Sequence, residues 1–172
     1  MIYLDIETSA MEADQGMIIA IGLLAGEEVE VKPAVTREEE REALEWLNSK
    51  VGVETIVTWY GSEFDIPFLL TRAAFLNIDS QPLIEAPKLD LFKVCKGTFR
   101  LSSYSLRSVA DFFGIHEKDR FTGKDVPTLF KLVEDGDEEA QKLIIEHCES
   151  DLQLLKRVHE WVKPYIESFG TG

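Results

Sequence analysis

Cysteine is scarce in this chain: 172 residues include two, Cys95 and Cys148. Their separation matches neither a disulfide framework nor a metal-ligand spacing, and the shortage suits a reducing compartment better than a secreted scaffold. No chemical role is assigned to either thiol. Long apolar runs are also missing, since no stretch approaches the roughly 20 residues a membrane helix needs. The first strand-like run, Ile2-Tyr3-Leu4, has no basic segment before it and no cleavage site after it. A soluble, cytoplasmic chain without a targeting signal or membrane contact is therefore expected. Positive charge is the third shortage. Against 32 Asp and Glu stand 18 Lys and Arg, a formal charge of −14. That balance argues against a protein gripping duplex nucleic acid over a broad basic face, where affinity comes largely from phosphate neutralisation.

The positive charge that is present is gathered. Residues 88 to 131 hold nine Lys/Arg and five Asp/Glu, a local surplus in an acidic chain. Lys93, Lys96, Arg100, Arg107, Lys118, Arg120 and Lys124 are candidates for a rim that tracks phosphates, with solvated loop charges as the even alternative. At 45% hydrophobic residues, a chain of this length buries roughly two thirds of its unfolded surface. No repeat, low-complexity tract or linker divides it, so one domain over residues 1–172 is expected.

Along the chain, Ile2 to Ile6 reads as a buried strand, Met17 to Leu24 as a second apolar run, and Glu27 to Val31 as a strand alternating charge with valine. Gly26 between the last two marks a hairpin. Thr36 followed by Glu39 has the form of a capping box, and Leu44, Trp46 and Leu47 give the helix behind it an apolar side, its Glu-rich face being expected in solvent. Thr55 to Trp59 is rich in strand formers and is broken at Gly61 and Ser62, after which Phe64 to Leu76 reads as a helix despite Pro67. Pro87 to Phe92 suits a short edge strand. Ser105 to Phe113 reads as a helix ended by Gly114, residues 115 to 126 as a polar loop, and Pro127 as the start of another helix.

The last helix, about Asp137 to Val162, carries the most information. Its inward stripe runs Ala140, Ile144, His147, Cys148, Asp151, Leu155, Val158 and Val162, at a period of about 3.6 residues. A carboxylate on such a face meets a desolvation penalty of several kcal/mol unless it is paired or binds a cation, so Asp151 is expected to have a partner. Asp5 and Glu7 lie two apart on the first strand and leave it on one face, with Ile6 on the other. Asp65 stands where a strand gives way to a helix. Four acids from three elements can thus converge into a cage of hard oxygen ligands suited to Mg²⁺ or Mn²⁺, with no Cys/His arrangement that favours zinc. Two such ions about 3.5 to 4 Å apart activate a water and stabilise a leaving oxygen, which is phosphodiester hydrolysis. Singly, each acid has a plainer role open to it: a salt bridge for Asp5 or Glu7, a helix cap for Asp65, a lysine pair for Asp151.

Taken together, Leu4-Asp5-Ile6-Glu7-Thr8, Thr58-Trp59-Tyr60-Gly61-Ser62-Glu63-Phe64-Asp65-Ile66-Pro67-Phe68 and His147-Cys148-Glu149-Ser150-Asp151 resemble the three exonuclease motifs of the DEDD superfamily. The likeness is nearest to the proofreading exonuclease of family B DNA polymerases and to stand-alone ribonuclease H-like exonucleases. Tyr104-Ser105-Leu106-Arg107-Ser108-Val109-Ala110 resembles the same family's Tyr-Ser-Leu helix. The resemblance implies an α/β fold of the ribonuclease H type, a mixed five-stranded sheet flanked by helices. It also implies a metal-dependent 3′→5′ exonuclease acting on single-stranded DNA or RNA, DNA being favoured. Asp5 would bridge two metal ions, Glu7 and Asp151 would support the catalytic one, and Asp65 would hold the second largely through water. His147 occupies the position of the tyrosine or histidine that orients or deprotonates the attacking water. Thr8 and Phe64 match positions that line the 3′-terminal nucleotide, and Tyr60 stands where the family usually has asparagine. Histidine at 147 also has the spacing to Asp151 that normally accompanies tyrosine.

Two other functions remain open at this point. One is a ribonuclease H-like endonuclease, sharing the fold and the clustered acids; the Asp-x-Glu strand and the His-x-x-x-Asp helix favour the exonuclease. The other is a non-catalytic module that binds nucleic acid or a replication partner, against which the retention of all four acids counts. With so acidic a body, a homo-oligomer or a replication or repair partner is a further candidate source of grip.

Overall fold

The computed structural model describes residues 1–116, 123 and 125–169, with side chains described through residue 166. Lys118, Arg120 and Lys124 of the expected basic rim, and most of the expected loop at 115 to 126, lie outside the described residues. Alternation along the first strand decides the layers. In β1 (Ile2–Thr8), Ile2, Leu4 and Ile6 pack into one core with residues of α1 (Arg37–Lys50) and α2 (Asp65–Phe75), among them Leu44, Leu47 and Leu69. Tyr3 faces the other way, into a core with Cys148, Leu152 and Leu155 of α7 (Glu138–Phe169). Asp5 and Glu7 share the parity of Tyr3 and so leave the sheet toward α7.

Five strands form one mixed sheet in the order β3-β2-β1-β4-β5. β2 (Ile18–Ala25) runs antiparallel to β1 and to β3 (Glu28–Pro33), whereas β4 (Ile56–Thr58) is parallel to β1 and β5 (Lys88–Asp90) is parallel to β4. This is the expected five-stranded mixed sheet with helices around it. The β2–β3 turn pairs Ala25 with Glu28, and Gly26 takes the positive φ of 61° that glycine adopts without a Cβ clash. The Thr36 capping box is present, with Glu39 N–H donating to Thr36 Oγ1 and Thr36 N–H to Glu39 Oε2.

Four elements depart from the sequence reading. The strand expected over 87 to 92 stops at Asp90, whose carboxylate caps α4 (Leu91–Thr98) by accepting from Phe92 N–H at 3.0 Å. A one-turn helix, α3 (Gln81–Glu85), precedes β5. The final helix continues past Val162 through Pro164, where the helix is already exposed and loses a single backbone donor to the ring. The acidic face of α1 is not wholly solvated: Glu40 is fully buried and grips Arg72 of α2 with two 2.8 Å bonds. Glu40 also accepts Ile18 N–H at 2.8 Å, and Arg72 donates to Ala13 O at 3.1 Å while lying over the Phe75 ring. The remaining helices, α5 (Leu106–Phe112) and α6 (Val126–Glu134), start at the expected places, behind Ser105 and around Pro127.

Candidate active site

The approach of α7 to the sheet is set by a glycine. Gly22 is registered opposite Asp5, and a Cβ there would lie 2.4 Å from Cys148 Sγ and 2.7 Å from Leu152 Cδ1. Without a side chain on β2, the helix closes onto the strand and the Cys148 thiol hydrogen-bonds the Asp5 carboxylate. One residue earlier on the helix, His147 is buried with Nε2 3.8 Å from Glu7 Oε1 and 3.9 Å from Asp151 Oδ2. The stripe of α7 is buried as its period predicts, except at Asp151, whose side chain keeps 31% of its surface exposed. A register shift between Glu7 and Thr8 ends the regular pairing, and Thr8 Oγ1 donates to Ala10 O at 2.8 Å, turning the chain away at the rim.

Asp65 arrives from the opposite side of β1. After β4 the chain makes a tight turn in which Gly61 presses on Thr58, a Cβ at 61 falling 2.4 Å from the Thr58 Cβ and Oγ1. Tyr60 adopts φ 63°, a left-handed conformation that costs a residue bearing a Cβ roughly 1–2 kcal/mol. Asp90 holds this turn: its carboxylate accepts Tyr60 N–H at 2.9 Å, Ser62 N–H at 3.2 Å and the Ser62 hydroxyl. Asp65 follows as the first residue of α2, buried, accepting from its own N–H and from Ile6 N–H of β1.

Electrostatically, the cluster is under load. Burial pushes Asp5 well above the ordinary carboxylate range, and the charges of Glu7, Asp151 and Asp65 push in the same direction against the Cys148 hydrogen bond. Burial lifts Asp65 to about 7, helped by the charge of Asp90 and opposed by its backbone bonds. Burial likewise raises the Cys148 thiol far above its usual value, followed by the charges of Asp5, Glu7 and Asp151. Ligand atoms of Asp5, Glu7 and Cys148 lie within 4.8 Å of one another. Acids crowded against one another in a partly dry site are the donor set for a hard divalent cation, which relieves both repulsion and desolvation. The thiol is the one soft atom among them. The sequence reading assigned Cys148 nothing, because its nearness to Asp5 depends on Gly22, a residue 126 positions away.

All eight residues singled out from sequence, Asp5, Glu7, Thr8, Tyr60, Phe64, Asp65, His147 and Asp151, line one open cleft of about 670 Å³. Trp59, Phe92, Tyr104 and Leu106 line it too. Tyr104 and Leu106 lie in the stretch with the Tyr-Ser-Leu resemblance, whereas Phe92 and Asp90 were read only as the end of a strand. Of the basic candidates, Lys93 pairs with Glu63 at 2.8 Å and Lys96 Nζ lies 5.4 Å from the centre of the Phe92 ring. Among the described residues, no helix is long and apolar enough to cross a membrane.

Comparison with known proteins gives three findings. The RNase_H_2 family model, described as RNase_H superfamily, matches residues 2–163. An uncharacterized protein of Methanocaldococcus jannaschii is 28% identical over 161 residues, spanning 87% of this chain and 88% of that protein. The family B DNA polymerase of the hyperthermophilic archaeon Pyrobaculum calidifontis superposes with a TM-score of 0.78 at 16% identity, over 95% of this chain and 24% of the polymerase chain. At that identity the polymerase shares the fold, and this chain spans about a quarter of its length.

Proposed function

Because the chain belongs to the RNase_H superfamily, a group of nucleases that typically use divalent metals, we propose that it is a metal-dependent 3′→5′ exonuclease acting on single-stranded nucleic acid, DNA in preference to RNA. The observation that carries this reading is the meeting of Asp5, Glu7, Asp65 and Asp151 in one cleft, from motifs in the order and spacing of the DEDD exonucleases. Mg²⁺ or Mn²⁺ ions held by these acids supply Lewis-acid stabilisation of charge on the phosphodiester and a nucleophile near neutral pH.

The chain's own residues do the rest. Asp5 and Glu7 on β1 and Asp151 on α7 converge from two elements, so the group they hold is fixed by the packing of α7 on the sheet. Asp65 is anchored by the Ile6 N–H and closes the other side. His147 Nε2 faces the carboxylates of Glu7 and Asp151 and is the atom that takes the proton of the attacking water, a role usually worth roughly 10²- to 10⁴-fold in rate. Thr8 and Phe64 at the rim contact the terminal nucleotide, and Tyr60 replaces an asparagine there with an aromatic ring. A frayed or single-stranded end reaches this cleft, whereas a paired end must first unstack.

The deciding experiment digests end-labelled single-stranded DNA and RNA, a blunt duplex and a circular single strand with Mg²⁺, Mn²⁺ or EDTA. Ladders shortening from the 3′ end of linear strands, an intact circle and silence in EDTA are expected. A cut circle would establish the endonuclease, and shortening from the 5′ end or undiminished activity in EDTA would remove the proposal.

A further inference from the structure

Tyr60 combines two costs that a packing residue avoids. It sits at φ 63° and leaves 44% of its surface exposed, at the mouth of the acidic cleft. Strained backbone persists where surrounding structure over-determines it, and such positions cluster at functional sites. The over-determining group here is Asp90. Its Oδ1 accepts both Tyr60 N–H at 2.9 Å and Phe92 N–H at 3.0 Å, so a single carboxylate oxygen sets the backbone of two aromatic residues. The rings meet edge to face, centroids 4.8 Å apart at 71°. Trp59 and Tyr104 also meet the Phe92 ring edge-on, at 6.1 and 6.2 Å. An edge-to-face contact takes a face of only one of its two rings. Tyr60, 44% exposed, meets one ring alone among the described residues, so a face of Tyr60 is left for a further planar group while Phe92, held by its neighbours, braces it. Lys96 Nζ stands 5.4 Å from the Phe92 ring centre, bringing a positive charge to an otherwise acidic mouth.

We propose that Tyr60 and Phe92, tied together by Asp90, form a stacking subsite for a nucleobase of a single strand whose 3′ end lies among the carboxylates. The inference rests on the exonuclease reading and extends it by naming what holds the strand in a protein so poor in positive charge. Planar π faces suit every base, so the subsite reads no sequence, and it acts on the base rather than the sugar. Lys96 serves a neighbouring phosphate. Asp90 is a positioning residue, touching no part of the strand.

The test is a cycle between protein and ligand. Labelled single-stranded DNA and RNA oligonucleotides, intact or carrying one abasic residue at each of the last four 3′ positions in turn, are titrated onto the full chain. Ca²⁺ replaces Mg²⁺, and Kd is read by fluorescence anisotropy. Tyr60→Ala and Phe92→Ala should weaken intact strands by roughly 5- to 150-fold, the range of one stacked base. At one abasic position the same substitutions should cost nothing further, and the pattern should repeat on DNA and RNA. Tyr60→Phe and Phe92→Tyr, which keep the ring and guard against a folding artefact, should bind within threefold of wild type. Asp90→Asn should weaken intact strands and leave the chosen abasic strand unaffected. Equal losses on intact and abasic strands at every position, or alanine variants that bind as wild type does, would overturn the stacking subsite while leaving the exonuclease reading intact. A wild-type chain that neither binds nor shortens either strand would instead remove the exonuclease reading, and this inference with it.

Discussion

Carboxylates are buried in two regions of this protein, and the two are built in opposite ways. At Glu40 the charge is answered: a guanidinium grips both oxygens at 2.8 Å, and the Ile18 N–H adds a third bond. At Asp5 the nearest charges that move it are Glu7, Asp151 and Asp65, all of the same sign. The first arrangement ties α1 and α2 to the start of β2. The second raises the energy of the folded chain, and selection for stability alone does not assemble it. What separates a structural carboxylate from a functional one is thus the partner that the fold supplies: a guanidinium moves in on Glu40, whereas the charges that shift Asp5 are all carboxylates.

The comparison breaks most visibly in activity. Asp5→Ala, Asp65→Ala or Asp151→Ala should bring single-strand degradation to near background, yet leave metal-free thermal stability unchanged or higher, because each removes repulsion. Near-wild-type turnover by any one of them in a gel assay with Mg²⁺ would dissolve the constellation. His147→Ala should follow, with a fall of roughly 10²- to 10⁴-fold in single-turnover rate. His147→Tyr should recover part of it, since the spacing to Asp151 suits tyrosine. Rates within threefold of wild type and an unchanged pH profile for the alanine variant would reduce His147 to packing.

Glu40→Ala and Arg72→Ala sharpen the contrast from the other side. Each strands a buried charge, and breaking a buried pair costs about 3–5 kcal/mol. For a chain of this size, that lowers Tm by roughly 6–20 °C. Turnover per folded molecule should hold at permissive temperature. A variant that melts with wild type would show that Glu40 is no more than a surface acid folded inward.

The sequence made one of these regions legible and hid the other, for a physical reason. Asp5, Glu7 and Asp151 interrupt apolar patterns of known period, so the face each occupies follows from its neighbours, and the long stripe of α7 is buried on both sides of the partly exposed Asp151. The five-stranded sheet follows from strands whose burial shows in composition. Glu40 interrupts nothing: it lies among Glu38, Glu39 and Glu42, and its partner comes from a helix 32 residues away. Cys148 was passed over because its place beside Asp5 depends on the missing side chain at Gly22. Asp90 and α4 were passed over because an eight-residue helix is too short to declare a period.

The smallest expected effect is a pH dependence that belongs to the cluster alone. Asp65 sits at about 7 in the folded chain against an ordinary 3.8, and Asp5 is raised in the same sense. A group raised on folding binds its proton more tightly in the native state. Its contribution to stability is therefore full below about 3.8 and is lost as pH rises through about 7. His159 carries the opposite sign. Burial and the charge of Lys163 hold it below its ordinary 6.5, so its contribution is lost as pH falls below that value. The two overlap between pH 4 and 7, and wild-type melting alone does not separate them. The difference between wild type and Asp65→Asn does, because both proteins keep His159. In EDTA, the Tm of Asp65→Asn relative to wild type should climb as pH rises from about 4 to about 7, by several degrees in all. Saturating Mg²⁺ should erase or reverse the climb, since a bound cation stabilises the charged carboxylates that the metal-free fold disfavours. A difference that stays flat with pH in EDTA would mean that Asp65 titrates as an ordinary carboxylate, already satisfied by its backbone bonds. The cluster would then differ from the Glu40 pair less than its crowding of like charges implies.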